Sequence, residues 1–300
     1  MTRVTQSMMQ RSMLANLNGS FERLVNSQEQ LSTGFTINRP SDDPLGASRS
    51  MSLMTRASDL KQYESSLDAA KSWGDVTDSA LANIVDLIHQ VRELAVKGAT
   101  DTYGPDERAS IIQELTGILD SLKAQGNAKF GDEYVFAGTA TSSPPYQLGP
   151  DDTYAGNTGN VLREVAPGVQ VTINEPGINV LGDSNSGLLR SVRDLIGHLQ
   201  SGDPADLEAA RTTDLNAIDL ALETATAAQA RLGERQSRFE WNLARIADLQ
   251  DANAELLASI REVDYGQAMV QFSSRAAIYQ AALGATQKLL DLSLVTMLGK

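Results

Sequence analysis

The sequence predicts a mainly α protein with a small β insert: a long antiparallel helical rod, coiled-coil termini and an inserted β-rich domain. Three observations predict it. Both ends of the 300-residue chain carry apolar residues at alternating steps of three and four, the spacing of a coiled-coil seam. Aromatic residues make up only 5%, few for one thick globular core, which favours helices packed through Leu, Ile, Val and Ala. One internal stretch, 134–182, loses the helical spacing and is dense in Pro, Gly, Asn and Thr.

The elements follow in order. Leu14, Leu17, Phe21, Leu24, Gln28 and Leu31 form the first seam, on a helix expected to end near Gly34. The stretch 38–47, NRPSDDPLGA, then interrupts the helical pattern. Pro40 keeps Arg39 out of the helical region, and Asp43-Pro44 reads as an N-cap followed by a favoured first helical residue. A second helix runs from about Leu45 to Lys97, with Trp73, Ala80, Ile84, Leu87, Val91 and Leu94 as its later stripe. Tyr103-Gly104-Pro105 breaks it, and Pro105 opens a third helix that Gly126 is placed to cap.

In the insert, Val169, Val171 and Ile173 alternate with polar residues, and Ala166-Pro167-Gly168 reads as a hairpin turn after a strand around 161–165. Helix resumes near Leu188, pauses at Ser201-Gly202-Asp203-Pro204 and continues to about Val263, with Asn242 and Asn253 interrupting its seam. Tyr265, Met269, Phe272, Ala276, Tyr279, Leu283, Thr286, Leu290, Ser293 and Met297 form the last seam. Neither terminal seam can be buried alone, so the two ends are expected to pair. The domain organisation is nested: arm 1–40, rod 41–133, insert 134–182, rod 183–261 and arm 262–300.

Charge follows the same division. The net charge is −13, which disfavours binding to a phosphate backbone. Residues 1–40 carry a net +2 and residues 262–300 a net zero, so the middle holds about −15. Arms with so few charges are expected to become buried against something. No run approaches the roughly 20 apolar residues of a membrane helix. Cysteine is absent, which excludes thiol chemistry and disulfides. The N-terminus lacks the apolar core of a cleaved secretory signal, and on that ground alone the expectation is a cytoplasmic protein.

Catalytic signatures are sparse. His89 and His198 read as ordinary helix residues, and no HExxH or phosphate-binding glycine loop occurs. Gly182 to Gly187 lacks the spacing of a nucleophile elbow and reads as a return loop into helix. Asp42 and Asp43 lack the further oxygen ligands of a calcium loop, and capping explains Asp43 better than metal or acid–base work. No catalytic, cofactor-binding or metal residue is expected, nor any cofactor. An enzyme hosted in the short insert is the alternative of a different class.

The segments Val4 to Met9, Leu24 to Gly34, Ile37 to Pro44, Gln90 to Val96, Glu107 to Leu115, Tyr134 to Thr139, Pro144-Pro145-Tyr146 and Leu289 to Leu298 together resemble the flagellin family. Within it, Arg39-Pro40-Ser41-Asp42-Asp43-Pro44 is similar to the branch that joins the flagellar hook to the filament. The resemblance implies a structural subunit without catalysis, secreted to the bacterial flagellum after a transient cytoplasmic stage. Export would proceed through the flagellar type III channel. It implies as partners further copies of the chain in a ring, the first hook-associated protein, flagellin, and a cytoplasmic export chaperone at about 265–300, with no nucleic acid or membrane. Filament flagellin itself is the nearest alternative. The expected assembly interface is Leu14, Leu17, Phe21, Leu24, Leu31, Tyr265, Met269, Phe272, Tyr279, Leu283 and Leu290; Arg39, Pro40, Asp42, Asp43 and Pro44 form the inter-domain joint. Gln90–Val96 is read as subunit packing, with recognition by a host receptor as its alternative.

Overall fold

The computed structural model describes residues 6–100 and 103–298, with side chains placed for Met8, residues 11–100 and residues 103–288. Among the described residues, seven α-helices dominate: α1 (Gln6–Thr33), α2 (Pro44–Gly98), α3 (Pro105–Gly126), α4 (Leu188–Ser201), α5 (Pro204–Ala209), α6 (Leu215–Arg261) and α7 (Tyr265–Leu298). Four short strands lie between α3 and α4: β1 (Lys129–Phe130), β2 (Glu133–Tyr134), β3 (Leu162–Ala166) and β4 (Val169–Thr172). They make two antiparallel pairs, β1–β2 and β3–β4. The chain is therefore mainly helical with small strand pairs, as its patterning predicts.

The chain divides into two compact units, residues 1–59 with 249–300 and residues 60–248. The first unit therefore contains the start of α2 and the end of α6 in addition to the two arms. Its 10 acidic and 10 basic residues balance, whereas the second unit holds 28 acids against 15 bases. All of the net charge therefore lies in the second unit.

In the second unit, α2 and α6 run antiparallel. Lys71 meets Glu240 at 2.9 Å, Gln236 donates to Asp75 at 3.0 Å, Gln229 to Asp78 at 3.3 Å, and Arg92 meets Asp219 at 2.7 Å. Their buried rows are Leu67, Trp73, Ile84 and Ile88 on one side and Ile218, Ala225 and Leu232 on the other. Leu87, assigned to the stripe by sequence, is half-buried beside the fully buried Ile88.

The strand-containing segment shares this unit's core, contributing buried Phe136, Tyr146 and Ile173. Most of 134–161 is irregular backbone held by side chains: Asn127 exchanges hydrogen bonds with Tyr146 at 2.7 and 3.0 Å, and Asn157 accepts from Thr139 N–H at 2.9 Å. Lys123, fully buried on α3, binds the carbonyls of Gly149 and Asp151. It also lies 2.8 Å from Asp152 Oδ1, while Arg193 of α4 binds Asp152 Oδ2.

Gly126 differs from its expected role. Asn127 ends α3, its N–H donating to Lys123 O at 3.0 Å. Gly126 instead allows close packing, because a Cβ there would stand 2.6 Å from Leu181 Cδ1 and 2.7 Å from Tyr146 Cδ2. The pause before α6 also contains a feature not expected from sequence, a π-helical turn over Ala210–Asp214. Asp214 in it is buried and lies 2.7 Å from His198 Nδ1. The aspartate raises the histidine pKa; burial in turn pushes the Asp214 carboxyl up against the opposing influence of His198.

Candidate assembly interface

The joint between α1 and α2 is built from short-range hydrogen bonds. Thr33 ends α1, and Gly34 turns the chain with φ +75°, a conformation that disfavours residues with a Cβ. A Cβ on Gly34 would also stand 2.7 Å from the Tyr265 hydroxyl. Asp42 Oδ2 accepts from the Arg39 N–H at 2.8 Å and from Asn38 N–H at 3.2 Å, which closes the loop. Asp43 Oδ1 accepts from Leu45 N–H at 3.1 Å and Gly46 N–H at 3.0 Å, which is N-cap geometry with Pro44 as the first helical residue. Arg39 reaches back to Glu29 at 3.2 Å, and both are solvent-accessible.

The returning chain passes beside this joint. Thr36 N–H donates to Arg261 O at 2.7 Å, Val263 N–H to Gly34 O at 3.0 Å, and Thr36 Oγ1 to Glu262 O at 3.0 Å. The Arg261 guanidinium stacks 4.0 Å from the Phe35 ring centre. Asn253, buried on α6, donates to Leu53 O at 3.0 Å, so this seam asparagine ties α6 to the backbone of α2. Asn242 instead bonds within its own helix, to Arg238 O.

α1 packs antiparallel on α7. Phe21 meets Tyr279 with ring centres 5.5 Å apart, and Arg275 donates to Arg23 O at 3.1 Å and to Ser27 Oγ. The seam within the chain differs from the one read by sequence. Its most buried members are small: Ser20, Ser27 and Ala268. Leu17, Leu24, Leu31, Phe272, Ala276, Tyr279 and Thr286 are half-buried.

Leu14 and Phe21 are 56% and 50% exposed, Tyr265 and Met269 are each 59% exposed, and Leu283 is 38% exposed. Val25, Val270 and Ile278, on the same two helices, are exposed as well. Two packed helices cover one seam between them, and each helix here carries more than one apolar row. The side chains of Leu290, Ser293 and Met297 lie outside the described residues.

Sequence reasoning missed Ser20, Ser27 and Arg275. Their signal is present: Ser20 and Ser27 are seven apart and interleave with Leu17, Leu24 and Leu31 at steps of three and four. Such small residues bring helix backbones close, and the two serines satisfy their hydroxyls on Asn16 O at 2.8 Å and Arg23 O at 3.0 Å.

Among the described residues, no group of three or more His, Asp or Glu side chains is placed to hold a metal. His89 is exposed. In the Gly182–Gly187 loop, Asp183 accepts from Asn185 N–H at 2.9 Å and Ser186 N–H at 3.0 Å, a local turn. No described helix is long and apolar enough to cross a membrane.

Comparison with known proteins decides the family. The model of the bacterial flagellin N-terminal helical region matches residues 4–141, and that of the bacterial flagellin C-terminal helical region matches residues 215–298. The chain belongs to the flagellin family. Both models fall on the long helices and leave 142–214 unmatched, the part that contains β3, β4, α4 and α5.

Among relatives within the family, flagellar hook-associated protein 3 of Escherichia coli is 24% identical, with 97% of each chain covered. Its namesake from Salmonella typhimurium is 27% identical over 61% of this chain and 58% of that protein. The fold matches solved flagellin-family structures. FlgL of Xanthomonas campestris superposes with a TM-score of 0.59 at 17% identity, covering 67% of this chain and 98% of that one. The flagellar junction protein FlgL of Legionella pneumophila does so with 0.58 at 16%, covering 71% and 99%.

Proposed function

We propose that this flagellin-family chain is a structural, non-catalytic subunit of the bacterial flagellum, placed where the hook joins the filament. The observation that carries the mechanism is the neutral unit. Its two arms already close one seam within the chain and still expose Leu14, Phe21, Val25, Met269, Val270, Ile278 and Leu283. Covering half-exposed apolar side chains of this size contributes on the order of 1 kcal/mol each. A unit without net charge does not oppose such association, while the −13 of the other unit keeps the free chain soluble.

The partners follow from the same reading. Copies of the chain form a ring through these rows, with the first hook-associated protein on one side and flagellin on the other. The names of its relatives, hook-associated protein 3 and junction protein FlgL, support the position at the junction. The family resemblance supports export through the type III channel and a chaperone at about 265–300. Joining two tubes of different stiffness requires rigid rods and repeated side-by-side contacts, which the long helices and the exposed rows supply.

A filament role is the second reading, because flagellin of Bacillus subtilis is 24% identical over 85% of this chain. Long polymers grown from the purified chain alone would favour it. The test of the main reading is complementation of a motile bacterium lacking its own junction protein. Leu14→Asp combined with Met269→Asp should leave the helical circular dichroism of the free chain unchanged and abolish filament attachment. If removal of residues 1–40 and 262–300 left incorporation intact, the proposal would be wrong.

A further inference from the structure

The chain carries eight methionines, and all of them fall in the neutral unit, residues 1–59 and 249–300. The larger acidic unit has none, and with no cysteine in the chain it contains no sulfur. Four of the described methionine side chains are exposed: Met8 on α1 by 59%, Met51 and Met54 on α2 by 66% and 49%, and Met269 on α7 by 59%. Met13 is half-buried. Met54 lies at the joint, its sulfur accepting from Arg261 Nη1 at 3.7 Å.

A flexible thioether repacks against neighbours of different shape, which suits a subunit that meets different proteins on its two sides. The same sulfur is open to a peroxide. An oxygen passes to it from hydrogen peroxide: the S–O bond forms, the O–O bond breaks, the sulfur gives up two electrons and the peroxide leaves as water. The sulfoxide is polar, and its oxygen needs a hydrogen-bond donor wherever it is covered. On Met54 it would replace a weak acceptor for Arg261 by a strong one, at the guanidinium that stacks on Phe35.

We propose that Met8, Met51, Met54 and Met269 are sites of reversible oxidation to the sulfoxide by hydrogen peroxide in the free chain, and that this oxidation blocks its assembly. The proposal rests on the assembled function above. Assembly covers the same sulfurs and protects them, while the acidic unit offers the peroxide no sulfur at any stage.

For the test, the purified full-length chain is treated with hydrogen peroxide, freed of it with catalase, and offered to flagellar hooks of the strain lacking its own junction protein. Peptide mass spectrometry should find one added oxygen on each of the four methionines. Helical circular dichroism should hold, incorporation should fall several-fold, and methionine sulfoxide reductase should restore it. In flagella that have incorporated the chain, the four sites should oxidise several-fold more slowly. A quadruple variant, Met8→Leu, Met51→Leu, Met54→Leu and Met269→Leu, should incorporate equally with and without peroxide, whatever its own level. This inference is overturned, and the junction reading left standing, if the oxygen is not found at these sites or the sulfoxide form incorporates fully. Equal oxidation of free and assembled chain, unfolding in parallel with oxidation, or a loss that the reductase does not reverse overturns it as well. Failure of the untreated, unsubstituted chain to incorporate overturns both. Should the quadruple variant fail to fold, rescue of the unsubstituted chain by the reductase decides alone.

Discussion

Asp42 and Asp43 are adjacent and chemically alike, and their environments give them different tasks. Asp43 caps α2 by accepting from two N–H groups of its first turn, while Asp42 accepts from Asn38 and Arg39 and folds the loop in front of it. Loss of an N-cap carboxylate costs about 1 kcal/mol. Asp43→Ala should therefore lower stability by roughly that amount in urea denaturation. Asp43→Asn, which retains an accepting oxygen, should lose much less. Equal losses would show that the carboxylate acts here by charge alone.

At the scale of elements, the buried ion cluster decides how the turn-rich segment is held. Asp152, 2% exposed, ties the loop after β2 to α3 through Lys123 and to α4 through Arg193. Burial works to raise the Asp152 pKa, and the contacts with Arg193 and Lys123 outweigh it, leaving the carboxyl below its usual value of 3.8. Removing one member of a buried pair costs roughly 3–5 kcal/mol, since its partner stays buried without compensation. Asp152→Asn should lose about that much at pH 7.

The sign of its pH dependence follows from the lowered pKa. The stabilisation is present above about 3.8 and is lost as pH falls through the still lower value of the folded state. The gap between the unsubstituted protein and Asp152→Asn should therefore narrow between pH 5 and pH 2 in urea titrations. A constant gap would show that shape, not charge, holds the loop.

At the scale of the whole molecule, the two units differ in how they are buried. Among the described side chains of α1 and α7, only Ser20, Ser27 and Ala268 are buried, whereas α2, α3, α4 and α6 carry long buried rows in the acidic unit. Local opening is easiest where few apolar contacts oppose it. Amides in the middle of α1 and α7 should exchange more than about tenfold faster than those around Ile84 and Leu232 in the free chain. A tenfold ratio corresponds to about 1.4 kcal/mol. Hydrogen exchange read by mass spectrometry checks this, and assembly should slow the arms selectively.

The sequence by itself determined where the helices begin and end, because those signals are local. Pro44, Pro105 and Pro204 open helices, Gly34 and Gly202 turn the chain with positive φ, and steps of three and four run between them. The turn at Pro167-Gly168 and the alternation of Val169 and Val171 placed the β3–β4 hairpin by equally local means. Tertiary structure decided what distant residues must settle together. Lys123 reads as a surface lysine until a loop about 28 residues later brings Asp152 and two carbonyls to it.

It also decided which apolar row of each arm closes within the chain. A helix with several apolar rows fits a seam in more than one rotation, and local spacing cannot choose among them. The choice fell on the rotation where small Ser20, Ser27 and Ala268 let the backbones approach. Leu14, Met269 and Val270 were left facing outward, with Phe21 only half covered by Tyr279, because two helices can cover only one seam between them.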